Sequence, residues 1–303
     1  MVAGLRFALI GAAVWTATAL ATVTGAVDLT LIDLLLVLAP LVVVPVGLVV
    51  AGRRMNAVRL AAAALVVPAL LTDTGVPAGV LALPWLAVAV HLAAVAALEW
   101  LGRPDFTPAG LARLASPVYL TVGATWLVAS RLALEPVGIG EPIVELTAVH
   151  FHYAGFAAAL LAARTYEAAT GRWAAAGALL TIVAPPIVAL GFTTGSAVAQ
   201  ITGAVLLTAG VWIVAGVTAT VVAPRTANPS ARALLSVSAA AVVAPMVLAV
   251  FWATGQHFDV PALDVPAMAR VHGTLNAFGF TLAGLLGWAA RDTAPAVRRS
   301  VIP

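Results

Sequence analysis

Ten apolar runs, separated by short clusters of Arg, Asp, Glu, Gly and Pro, take up most of the chain: approximately 5–27, 29–51, 59–72, 79–101, 117–134, 145–163, 173–192, 196–223, 233–254 and 268–290. A helix needs about 20 apolar residues to cross a bilayer, and most of these runs reach or approach that length. The run 59–72 is short and contains Pro68, so a tilted or partly buried helix is expected there. The short alternating segments of a transmembrane β-barrel are absent. The pattern predicts an all-α, polytopic transmembrane bundle of about ten helices, read as one domain over 1–303.

The arginines set the predicted orientation. With a cytoplasmic N-terminus, Arg6, Arg53, Arg54, Arg59, Arg103, Arg113, Arg164, Arg172, Arg225, Arg232, Arg291, Arg298 and Arg299 fall inside, and only Arg131 and Arg270 fall outside, a split of 13 to 2. Dropping one helix would scramble that asymmetry, so count and orientation support each other, with both termini cytoplasmic. Arg6 followed by apolar residues to Val27 resembles a signal peptide, but the apolar stretch is too long, and it is read as a first transmembrane helix.

Composition narrows the functions. With 63% hydrophobic and 9% charged residues the chain is no soluble globule, whose charged share is about 25%. Its net charge of +3 comes from loop arginines that orient helices, so no nucleic-acid partner is implied. The absence of Cys excludes disulfides, thiolate ligands and iron–sulfur clusters. All 15 basic residues are Arg, which leaves no Lys for a Schiff base.

Against this background the ionisable residues inside apolar runs stand out, because such groups are costly in hydrocarbon unless paired or hydrated. The run ELTAVHFHYAGF carries Glu145, His150 and His152, and RVHGTLNAFGF carries His272 and Asn276. At ~1.5 Å per residue, His150 and His272 lie roughly 6–7 Å below the outer ends of their helices, and His152 and Asn276 roughly 10–12 Å. Asp33, Asp73, Gln200 and Arg131 fall in or just above the same layer, which points to a shared cavity. At about 100° per residue, Glu145, His152 and Phe156 share a face with Tyr153 on its flank, while His150 points about 140° away from Glu145. Without a helical irregularity the two histidines cannot face one point; one is then a site residue and the other a hydrogen-bonded core residue. Asp33 is expected to pair with Arg131 or solvent, and Glu99 with Arg103. His91 reads as a core histidine and His257 as a loop residue.

ELTAVHFHYAGF and RVHGTLNAFGF resemble the two signature segments of the YndJ-like integral membrane family, through Glu145, His150, His152, Tyr153, Gly155, Phe156, His272, Gly273, Asn276 and Phe280. That resemblance implies a multi-pass protein with a loose transporter label. More distantly the chain is similar to membrane-bound terpene cyclases of actinomycete indole-sesquiterpenoid pathways, which implies protonation-initiated cyclisation of a lipophilic, epoxidised or plain isoprenoid.

On that reading Glu145, His150, His152 and His272 are the catalytic candidates, with Glu145 as proton donor. Asn276, Tyr153, Phe156, Phe280, Asp33 and Asp73 line the substrate site. No Asp-rich diphosphate–magnesium motif occurs, which argues against ionisation-type cyclisation. The alternative is a proton-coupled transporter using the same Glu/His layer, with Pro185–Pro186 and Pro245 breaking its helices. A His150, His152 and His272 metal or haem site ranks last, since i,i+2 is not a helical ligand spacing. No metal and no cofactor are expected. The partners are a lipophilic substrate and membrane lipid, and the location is a bacterial cytoplasmic membrane.

Overall fold

The structure, a computed structural model, describes residues 2–292, with side chains from Leu5 onward. Arg298 and Arg299, two of the arginines assigned to the inner side, lie outside the described residues.

Each apolar run forms a helix. In chain order they are α1 (Val2–Val23), α2 (Leu31–Val50), α3 (Ala57–Leu71), α4 (Val76–Gly102), α5 (Pro108–Arg131), α6 (Ile143–Ala168), α7 (Arg172–Thr194), α8 (Ala197–Val222), α9 (Pro229–Gly255) and α10 (265–292). Eight are long and apolar enough to cross a membrane; α3 is shorter, and α10 carries Arg270, His272 and Asn276 within its length. The chain is therefore a multi-pass membrane protein. Hydropathy placed the start of α5 near 117, nine residues late, because its first turns hold Arg113 and Ser116. The true start is set by chemistry: the Thr107 hydroxyl accepts from the Gly110 N–H, with Pro108 following it. α2 opens on a reciprocal box in which Thr30 accepts from the Asp33 N–H and the Asp33 carboxylate accepts from the Thr30 N–H.

α2 and α6 form the centre. Their apolar stretches are 83% and 67% buried, against 17% for α1 at the periphery. A central membrane helix must satisfy every backbone group within protein, and here several helices are irregular. Wider π turns occur at Ala39–Val43 in α2, Phe151–Ala157 in α6, Thr218–Val222 in α8, and Ala269–Gly273 and Leu275–Leu282 in α10.

Neighbouring side chains bond to the carbonyls that such turns and prolines loosen. Ser116 of α5 donates to the Phe156 carbonyl at 2.8 Å, and Ser238 of α9 donates to the Phe280 carbonyl at 2.6 Å. Pro186 has no N–H to offer the Ile182 carbonyl, which instead accepts from the Tyr119 hydroxyl. Pro45 leaves the Leu41 carbonyl in the same state, and Gly11 of α1 packs onto it so closely that a Cβ at Gly11 would lie 1.8 Å from that oxygen.

Charges collect at the helix ends. At one end Arg113 bridges Asp105 (2.7 Å) and Glu167, and Arg164 bridges Glu167 (2.7 Å) and Asp292 (2.6 Å), tying together α5, α6 and α10. Glu99 pairs with Arg53, in the connection between α2 and α3, and not with Arg103: that longer-range contact replaces the expected one along α4. At the opposite end Glu145 has Asp33, Arg131 and Glu141 as its charged neighbours. Asp33 is occupied by the Thr30 cap and forms no ion pair with Arg131. His91 is exposed on the outer face of α4 and is not a core residue.

Candidate functional site

A cavity of about 310 Å³ opens between α2, α5, α6, α7, α8, α9 and α10. Its walls are aliphatic and aromatic, with Trp126, Phe151, Phe192, Trp252 and Phe280 among them. No Asp, Glu, Lys or Arg lines it. Its polar groups are few, and the central ones are His150, His272 and Asn276, which come from the two runs that the sequence singled out.

α6 and α10 are neighbours along their π segments, and the imidazole centroids of His150 and His272 are 6.2 Å apart. Helical side chains lean towards the N-terminus, so the ring of His150 folds back and its Nδ1 meets the Leu146 carbonyl at 2.6 Å. A carbonyl only accepts, so in the neutral ring Nδ1 carries the proton and Nε2 keeps its lone pair. No described residue bonds to His150 Nε2, although the ring is accessible from the cavity.

His272 is fixed in the same way, with Nδ1 2.8 Å from the Pro245 carbonyl of α9. The Asn276 amide nitrogen lies 3.4 Å from both ring nitrogens of His272, one turn along the same helix face, and with Nδ1 protonated only Nε2 can accept. The amide nitrogen donates there, which leaves Asn276 Oδ1 as a second free acceptor.

His152 is different. Two residues on, its ring points to the opposite side of α6 and is fully buried. Nδ1 donates to the Ala148 carbonyl at 2.7 Å and Nε2 accepts from Trp85 Nε1 at 2.9 Å, so both nitrogens are satisfied. Its ring stacks near-parallel on that of Trp85, and the bare Gly123 of α5 makes room for it. Phe156 shares this packed face and rests on Gly47 of α2.

The other candidates divide similarly. Tyr153 and Phe280 line the cavity; the Tyr153 hydroxyl is spent on the Leu35 carbonyl at 2.7 Å, so only its ring is offered. Glu145 lies outside the lining, at the helix end, with Oε1 buried and without a hydrogen bond. Asp33 serves as a cap and Asp73 is exposed between α3 and α4; neither lines the cavity. Trp126, Phe192 and Trp252, which lie towards the ends of their helices, also wall the cavity. Gln200 also lines it, but both ends of its amide are engaged, by the Gly191 carbonyl at 3.2 Å and by His257 at 3.0 Å. Among the described residues no three His, Asp or Glu side chains converge as a metal site.

The helices and the cavity define a polytopic membrane protein with an intramembrane, charge-free pocket built around two histidines. Residues 34–280 match the YndJ-like protein family, so the chain belongs to that family. It is 27% identical over 185 residues to a Bacillus subtilis (strain 168) protein named "Uncharacterized membrane protein YndJ". The alignment covers 59% of this chain and 32% of that relative, so the chain spans about a third of the relative's length. No solved structure matches.

Proposed function

We propose that this protein is a membrane-embedded enzyme that performs acid–base chemistry on a lipophilic small molecule, of the kind that cyclises or isomerises an isoprenoid. The observation that carries the reading is His150: a cavity-facing imidazole with Nδ1 anchored and Nε2 open, next to a second anchored imidazole. In a protonation-initiated cyclisation one imidazolium delivers its proton to an alkene carbon or an epoxide oxygen. The chain closes onto the cation, and a neutral imidazole removes a proton from the final carbocation, so no proton is consumed. The aromatic walls face the migrating charge, and the apolar lining keeps out water that would quench it. Glu145, expected from sequence to be the donor, is not in the lining, so the reading assigns proton transfer to the histidine pair. The arginine-rich end is taken to face the cytoplasm of a bacterial cell, from the arginine asymmetry.

A carrier is the second reading, favoured by one feature: π turns interrupt α2, α6, α8 and α10, all of which border the cavity.

The test is conversion of plain and epoxidised polyprenyl compounds by membranes holding the protein. Turnover by the wild type is expected, with a loss of ~10²-fold in His150→Gln and His272→Gln at unchanged expression. No conversion by the wild type, together with His150-dependent solute flux into reconstituted vesicles, would establish the carrier instead.

A further inference from the structure

We infer that the cavity selects an uncharged lipophilic molecule that presents a hydrogen-bond donor, an alcohol or a phenol, and rejects the corresponding acid, amine or phosphate ester. This rests on the reading that the cavity takes a lipophilic ligand, and adds the chemistry of its polar end.

Two observations carry it. First, the lining contains no Asp, Glu, Lys or Arg, and its two imidazoles are neutral between proton-transfer steps, each with Nδ1–H held by a carbonyl. The arginine lattice of Arg113 and Arg164 lies at the bundle end beyond the cavity, and Arg131 and Glu145 lie at the other end, outside the lining. An ionised ligand group would therefore lose its hydration without gaining a counter-charge, which is strongly unfavourable in apolar surroundings.

Second, the cavity offers open acceptors that a ligand donor would satisfy, and its open donors, the second N–H of Asn276 and the indole N–H groups of the wall residues Trp126 and Trp252, suit a hydroxyl oxygen. The Nδ1–H groups of both histidines are spent on the Leu146 and Pro245 carbonyls, and the Asn276 amide nitrogen is turned to His272. His150 Nε2 and Asn276 Oδ1 remain as acceptors. The hydroxyls of Thr147, Thr193 and Tyr153 are likewise committed to the carbonyls of Ile143, Leu190 and Leu35. A hydroxyl supplies the O–H that these acceptors lack and an oxygen that can accept from the open N–H groups, whereas a bare hydrocarbon leaves both unmatched and a carboxylate brings no donor for His150 Nε2. A volume near 310 Å³ is at the small end of ligand pockets, which span about 300–1,000 Å³, so the occupant is a compact molecule and not a two-chain phospholipid.

The experiment uses four probes with one fifteen-carbon skeleton: farnesol, farnesylamine, farnesoic acid and farnesene. Each is titrated into the full chain in nanodiscs at neutral pH, with fluorescence of the wall residues Trp126 and Trp252 as the readout. Empty nanodiscs and a Trp126→Phe/Trp252→Phe variant correct for partitioning and for the other tryptophans. Farnesol is expected to bind at least ten-fold more tightly than the acid or the amine, and several-fold more tightly than farnesene. In His150→Phe, which keeps a flat ring and removes the acceptor, farnesol should lose about ten-fold and farnesene should be unchanged. The headgroup comparison is made on the wild type, so it stands even if His150→Phe fails to fold. Equal or tighter binding of acid or amine overturns the inference, as does a farnesol affinity no better than that of farnesene; in both cases the lipophilic-cavity reading survives. If none of the four binds, that reading falls and the inference with it.

Discussion

The two faces of α6 carry nearly the same residue to opposite ends. His150 and His152 are two positions apart, both fold back onto the carbonyl four residues earlier, and both lie within an apolar run. What differs is the other nitrogen. Trp85 of α4 fills the valence of His152, and Gly123 of α5 shapes the space around it, so that face is a closed joint between helices. On the other face α7, α8, α9 and α10 stand back from His150, and its Nε2 looks into the cavity. A histidine within such a run is thus a closed joint or an open acceptor according to whether its second nitrogen is paired, and its position along the run does not distinguish the two.

Stability measurements test that contrast most strongly. Truncating His152 to Ala removes the stacked ring and leaves the Trp85 N–H with no partner. The loss is expected to be at least about 2 kcal/mol, read as a lower thermal midpoint and poorer recovery in detergent. His150→Ala removes a ring that projects into open space and should alter the midpoint by no more than about 0.5 kcal/mol. Equal losses from the two truncations would abolish the distinction between the faces.

A smaller effect probes the joint from the α5 side. A Cβ at Gly123 would sit 2.7 Å from His152 Nδ1 and 3.1 Å from the Ala148 carbonyl, the two partners of one hydrogen bond. Gly123→Ala should therefore cost about 1–3 kcal/mol through overpacking. Gly216→Ala, where a Cβ meets nothing within 4 Å, serves as the control.

The sequence made the helix count readable because apolar runs of membrane length leave few alternatives. It also marked α6 and α10, since histidines in hydrocarbon are unusual, and the 200° between positions 150 and 152 required them to diverge. Which one faces the cavity was not legible: the answer depends on Trp85, 67 positions away, and on the missing side chain at Gly123. Of the face that periodicity assigns to Glu145, His152 and Phe156, the last two are packed against neighbouring helices, because periodicity groups residues without saying what covers them. The cavity walls Trp126, Phe192 and Trp252 were hidden for a related reason. Near a helix end an aromatic residue looks the same in sequence whether it meets headgroups or a pocket.

Glu145 gives the finest test. From the sequence it is the natural proton donor, at the mouth of the run that holds both histidines. In the fold it belongs to the cluster with Asp33, Arg131 and Glu141, on the flank of α6 that does not meet the cavity. If proton transfer belongs to the histidine pair, Glu145→Gln keeps the shape of the cluster and leaves the reacting groups in place. Turnover should then change less than about three-fold, a barrier difference under ~0.7 kcal/mol. The assay is the same polyprenyl conversion, run beside His150→Gln as the positive control for loss. A fall as deep as that of His150→Gln would return the donor role to Glu145 and require the carboxylate to reach the cavity by a movement of α6. A small change would leave the outer cluster as an anchor for α2, α5 and α6, and the open face of α6 as the place where chemistry occurs.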